Sequence, residues 1–194
     1  MQTRFSAHAT LSFIALTIGV GCKKSSGSDA GQERAAVVSV PTEAEARALV
    51  SGFLKGEEAQ AELTKKLLPT YDQCKSAFTP EEAAATICEP WKDAARAPNA
   101  RLSPGATQTE VIVSSATTEE LRTWTGKAQE FHGGYKRIAA HLRPGLRGFR
   151  FTFVEPGSKT GLAVDTLFFV DGKWFLVMKP WRRLGRERRE PSAQ

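Results

Sequence analysis

The chain is short of the residues that most directly advertise chemistry. It has three cysteines, three histidines, two methionines and two tyrosines among 194 residues. That leaves little from which to build a metal centre, which needs several such ligands together. Glycine (16) and proline (10) are too few for a collagen-like or low-complexity chain. No apolar run reaches the roughly 20 residues of a membrane-spanning helix. The Gly-x-Ser-x-Gly elbow of serine hydrolases is absent, and so is the Gly-x-Gly-x-x-Gly dinucleotide fingerprint. Gly157-Ser158-Lys159-Thr160 echoes a phosphate loop. It lacks the Gly-Lys-Ser/Thr order and lies between two predicted strands, with no helix to receive a phosphate. No cofactor is expected. What is present is ordinary for a soluble globular domain: 41% hydrophobic and 25% charged residues, with a formal charge of +6. The length fits one domain with tails.

Residues 1–21 read as a signal peptide rather than as part of the fold. Arg4 is the positive start, and Leu11 to Val20 is an apolar stretch of signal-peptide length followed by small residues and Cys22. Gly19-Val20-Gly21-Cys22 resembles the lipobox of bacterial lipoproteins, in which cleavage precedes the Cys and the Cys is acylated. Gly21 matches the small residue before the cut, and Gly19 stands where the family usually has Leu. The alternative is an ordinary secretory signal cut nearby. The resemblance implies a lipid anchor on Cys22. It also implies a place in the cell envelope, with Lys23 after the Cys pointing to the outer membrane. Each buried methylene contributes about 0.8 kcal/mol, so two or more acyl chains hold stably. From Cys22 to about residue 40 the chain lacks apolar periodicity and reads as a flexible tether.

With Cys22 acylated, Cys74 and Cys88 remain. An even pair in an exported chain reads as a disulfide. The closed loop is short, and the chain-entropy model values it at about 3 kcal/mol. A redox or metal pair is the alternative, but the spacing is not Cys-x-x-Cys and only His132 and His141 remain in the mature chain.

Charge is uneven. From Lys179 onward, six basic residues (Lys179, Arg182, Arg183, Arg186, Arg188 and Arg189) face two acidic ones. With Arg4, Lys23 and Lys24 also set aside, residues 25–178 carry −1. A nucleic-acid-binding domain spreads its basicity over a face, so no nucleic acid is expected. The tail, 183–194, is expected either to be a solvated end or to touch anionic headgroups, an anionic envelope polymer or an acidic partner.

Between these ends, residues 41–182 predict a single α+β domain. Thr42 and Glu45 form a capping box ahead of Ala46, Leu49, Val50, Phe53 and Leu54 at helical spacing, and Gly56 marks the stop. A second helix runs from about Ala59 through Leu63, Leu67, Tyr71 and Cys74, interrupted at Pro69. Thr79-Pro80-Glu81-Glu82 opens a third with Thr79 as cap. Residues 93–105 read as loop, 109–115 as strand, and Thr117 to Leu121 as a short helix. Gly133-Gly134 reads as a bend, and Tyr135 to Leu142 is open between strand and helix. Phe149, Phe151 and Phe153 alternate along a strand. Leu162 to Val170 and Lys173 to Lys179 form a hairpin about Asp171-Gly172. Its register pairs Phe169 with Trp174, Leu167 with Leu176 and Asp165 with Met178 on one face, and Phe168 with Phe175 and Thr166 with Val177 on the other. Both faces are apolar, so both are covered or one lines a pocket.

Helices first, then a meander ending in Val-Asp-Gly-Lys-Trp, resembles the cone-shaped, cystatin-like α+β fold of nuclear transport factor 2 and ketosteroid isomerase. The likeness spans about residues 40–182 and is most specific over Ala163 to Trp181. It implies a curved antiparallel sheet wrapped around N-terminal helices, leaving a cavity. The family contains small isomerases and cyclases and also exported domains without activity, so the fold alone does not give function.

Asp165 is the one catalytic candidate. On an apolar strand face its carboxyl would be desolvated and its pKa raised, as a general base requires. The competing expectation is a structural ion pair with an Arg near the strand end. Tyr135 and Trp174 complete the candidate ligand-binding set. Trp181 beside Arg182 and Arg183 reads either as an exposed aromatic–cation patch or as a seal on the sheet edge. The leading expectation is a lipid-tethered, non-catalytic domain that binds a small apolar ligand or an envelope partner. The second is a small cavity enzyme, isomerase- or dehydratase-like, using Asp165 as base.

Overall fold

The computed structural model describes residues 40–96 and 101–184. Cys22, the tether and Arg186, Arg188 and Arg189 lie outside the described residues.

The first helix, α1 (Glu43–Val50), begins with the predicted capping box. The Glu45 N–H donates to Thr42 Oγ1 at 3.2 Å, and the Thr42 N–H donates to the Glu45 carboxylate at 2.7 Å. The chain tightens into a 3-10 turn at Ser51–Leu54 and reaches Gly56 at φ 103°, a left-handed conformation that glycine adopts without strain. There α2 (Glu57–Leu67) starts. Pro69 ends the helix, and Thr70 starts a new one, α3 (Tyr71–Lys75), with a second capping box to Gln73.

The cap predicted at Thr79 is not made. Pro80, extended at ψ 177°, occupies the N-cap position of α4 (Glu81–Cys88) and no side chain caps that helix. Thr79 is held elsewhere, its N–H donating to the His141 carbonyl at 2.7 Å. Residues 89–96, read partly as loop, are a 3-10 turn. Two further short helices are α5 (Thr118–Thr123), capped by Thr117 with Glu120, and α6 (Tyr135–Ile138). The segment from Tyr135 left open by the sequence is therefore helical.

Strands β1 (Glu110–Thr117), β2 (Arg147–Val154), β3 (Gly161–Val170) and β4 (Lys173–Leu176) form one antiparallel sheet in chain order. Asp171 (φ 50°) and Gly172 (φ 77°) both turn left-handed, as the tight hairpin turn requires. The predicted pairs Leu167–Leu176, Phe168–Phe175 and Phe169–Trp174 are made. The strand is shorter than predicted. It ends at Leu176, with a last hydrogen bond from the Val177 N–H to the Thr166 carbonyl at 3.0 Å, so Asp165 and Met178 do not pair.

Both faces of the sheet are covered. One carries Val111, Val113, Phe149, Phe151, Phe153, Leu167 and Leu176 against Ala46, Val50, Phe53 and Leu67 of the α1–α2 region. The other carries Ala116, Phe168, Val170, Phe175 and Val177 against side chains of α3 to α6 and Trp181. The Cys74–Cys88 disulfide, with Cα atoms 5.7 Å apart, joins α3 to the end of α4 in this second layer.

β1 is an edge strand, and side chains of α1 take two of its free backbone groups. Arg47 Nη1 donates to the Val111 carbonyl at 2.7 Å, and Ser115 donates its N–H and Oγ to Glu43 Oε1 at 3.0 and 2.9 Å. Lys127 Nζ holds the same Glu43 oxygen at 2.6 Å. Partial burial pushes the Glu43 carboxyl up, but the hydrogen bonds from Lys127 and Ser115 and the lysine charge outweigh it, and its pKa is lowered.

At Gly134 the absence of a side chain is a packing requirement. A Cβ there would lie 2.5 Å from the Trp181 ring. Gly134→Ala is expected to lift Trp181 off its seat at a cost of about 1–3 kcal/mol. A drop in the urea midpoint with a red-shifted, more solvent-exposed tryptophan emission is the readout. An unchanged midpoint would show that the ring moves aside freely.

Candidate functional site

The second face of the sheet is apolar towards Phe168 and Val170 and polar towards Ser114, Arg150, Thr152 and Asp165. A β-bulge creates this boundary. Phe149 faces Leu167 and Phe151 faces Val164, so Arg150 alone stands opposite both Asp165 and Thr166. Strict alternation would put Asp165 beside Leu167. The extra residue instead turns it to the other face, towards Arg150, His132 and Tyr135. Sequence reasoning placed Asp165 on an apolar face next to Leu167 and Met178; the bulge overturns that placement.

Asp165 is 8% exposed. Its Oδ1 lies 3.1 Å from Arg150 Nη1, without the alignment of a hydrogen bond, and accepts none. Burial is the largest influence on the carboxyl and pushes its pKa up. The Arg150 charge, the backbone N–H of His132 and the His132 charge oppose burial but do not cancel it. Arg150 is itself anchored, donating to the Glu130 carbonyl. Asp165 thus meets both expectations in part: its pKa is raised, and it has the arginine partner of a structural ion pair.

Tyr135 is fully buried, and its hydroxyl has no hydrogen-bond partner among the described residues. Burial first, and then the nearby Asp165 charge, raise its pKa well above the ordinary phenol value. Its ring packs edge-on to Phe131 at 5.1 Å and tilted against Trp181 at 5.7 Å. His132 stacks on the other side of this aromatic group, 4.8 Å from Trp181 and nearly parallel, while its Nδ1 accepts the Gly134 N–H at 2.9 Å. Trp181 is only 8% exposed, so it seals the C-terminal turn rather than standing out as an aromatic–cation patch. Trp174 does not join this cluster. It packs in the first layer between Phe149 at 5.1 Å and Phe169 at 5.0 Å.

The structure therefore brings Asp165 and Tyr135 together and leaves Trp174 apart. It adds Arg150, His132 and Trp181, which sequence reasoning did not place there. Two surface clefts lie elsewhere. One, of about 490 Å³, is bounded by the start of α2 and residues 101–109. The other, of about 480 Å³, lies between α3, the start of α4 and Arg143. Neither touches Asp165 or Tyr135. Among the described residues there is no group of three His, Cys, Asp or Glu side chains placed to hold a metal, and no helix long and apolar enough to cross a membrane.

The buried carboxylate makes a sign-specific prediction. Its folded pKa is raised above an unfolded value of about 3.9. The folded state therefore binds the proton more tightly. The stability from this group is full below that value and is lost as pH rises through the folded pKa. The stability of wild type relative to Asp165→Asn is expected to be greatest in acid and to fall towards neutral pH, measured as urea midpoints of both proteins across that range. A gap that grows in favour of wild type with rising pH would mean that the Arg150 pair outweighs desolvation.

No protein-family model matches this chain, and no curated protein or solved structure matches it.

Proposed function

We propose that the protein is a lipid-tethered interaction domain of the bacterial cell envelope, without catalytic activity. Cys22 carries the acyl anchor, residues 23–40 are the tether, and the α+β domain is left free to meet an envelope partner. In this reading the domain has the cone-shaped fold, with the interior filled by side chains in place of a ligand. The observation that supports it is the closure of Tyr135. A cavity enzyme needs its acid and base open to a substrate. Here the phenol is fully buried and neither cleft reaches it or Asp165.

Two measurements test the proposal. Cys22→Ala is expected to move the protein from the membrane fraction to the soluble envelope fraction and to abolish palmitate labelling. A variant that stays membrane-bound removes the anchor. Native mass spectrometry of the purified protein is expected to give the mass of the chain with its lipid and nothing more. A stoichiometric small molecule released on unfolding would overturn the closed interior. The second reading, an enzyme with Asp165 as general base, is favoured by the raised carboxyl and by its Oδ1, which accepts no hydrogen bond. It requires that Asp165→Asn abolish a turnover while folding is retained.

A further inference from the structure

The C-terminal turn and α6 meet through the aromatic contact of Trp181 with His132 and Tyr135. That contact gathers charge. Lys136 and Arg137 follow Tyr135 on α6, while Lys179, Arg182 and Arg183 flank Trp181, and all five are exposed. Arg137, Lys179, Arg182 and Arg183 have no ion-pair partner among the described residues, whose salt bridges all lie elsewhere. Lys136 lies 4.7 Å over the half-buried ring of Trp124, so an aromatic ring sits within the cationic surface. Met178, 40% exposed, adds an apolar side chain beside Lys179.

We propose that this end of the domain, built from α6 and the 178–183 turn, is a peripheral contact for an anionic phospholipid surface. The mixture of groups selects that occupant. Exposed lysines and arginines are attracted to a negative headgroup layer. An indole and a thioether suit the interface between headgroup and acyl chain better than a fully hydrated polymer. Geometry agrees where the tethering proposal holds, on which this clause alone rests. A flexible linker of this length spans roughly 20–25 Å, which keeps the headgroups within constant reach.

The test uses the full mature chain with Cys22→Ser, so that no acyl group contributes. Co-sedimentation is measured with vesicles of phosphatidylcholine alone and of phosphatidylcholine mixed with phosphatidylglycerol. Binding is expected only to the mixed vesicles and should weaken on adding salt. Lys136→Glu/Arg137→Glu should weaken it by at least tenfold, since each removed cation is worth about fivefold. Both positions are exposed, and an unchanged urea midpoint confirms that the fold is kept. Equal binding to neutral vesicles, or none to either, overturns the proposal. So does full binding by the α6 variant, because the surface would then not include that helix. Equal retention by a soluble polyanion would replace the membrane as the occupant. Failure of the tether itself is read separately, in the fractionation of Cys22→Ala.

Discussion

Phe53→Ala is expected to cost about 3 kcal/mol, lowering the melting temperature by roughly 10 °C. The ring is fully buried and is the main aromatic side chain that the N-terminal helical segment contributes to the sheet. It stacks on Phe151 at 6.3 Å with planes 12° apart and meets Phe153 edge-on at 5.9 Å. Those two phenylalanines touch each other at 5.5 Å, so one truncation loosens a three-ring cluster. The backbone cannot collapse to fill the gap, because Phe53 sits in a tight turn fixed between α1 and Gly56. The void would open into the adjoining cleft, which Phe53 also lines, so water can enter it. That places the cost at the low end of the range for a buried phenylalanine. Thermal unfolding followed by circular dichroism measures it, and a loss below about 1 kcal/mol would mean that the cleft reorganises to absorb the ring.

Cys74→Ala/Cys88→Ala is expected to cost a similar amount, about 3 kcal/mol, through the unfolded state. The bridge closes a sequence separation of 14 and both cysteines are fully buried. The local ion pair between Lys75 and Glu81 spans the same two helices at 2.7 Å but is exposed, and pairs of that kind contribute little. Without the bridge, α3 and α4 are held by the apolar packing of this layer, which includes Ala77, Phe78, Ala84 and Ile87. Urea midpoints with and without reductant test this. Because both sulfurs are buried, reduction in the native state should be slow and should speed up at the unfolding midpoint. Rapid reduction of the folded protein would show that α3 and α4 open locally.

The features legible in the sequence were local ones. Thr42 with Glu45 announced the start of α1, because the two side chains satisfy backbone groups three residues apart. Asp171-Gly172 fixed the hairpin register, because few residues tolerate two left-handed conformations in succession. The boundary at Thr70 was also written, as Thr-x-x-Gln, but was masked by the apolar spacing that continues through Tyr71 and Cys74. Thr79 failed as a cap because α4 starts one residue later, with Pro80, which has no side-chain acceptor, at the N-cap position. The direction in which Asp165 points was not legible in the local pattern either. That Asp165 would be desolvated follows from its neighbours. Which way it points depends on one extra residue opposite Arg150, and a two-fold alternation contains no mark for a bulge. Its meeting with Tyr135 and His132 is a contact between segments that share no local pattern.

The α1 side chains on the edge of β1 have a consequence for how copies of this protein can meet. An open strand edge offers any neighbouring chain a ladder to continue. Here Glu43 and Arg47, one helical turn apart, occupy backbone groups that a neighbour's strand would claim. A neighbour's strand would have to displace these side chains before it could pair along this stretch of β1, which disfavours continuing the sheet at this edge.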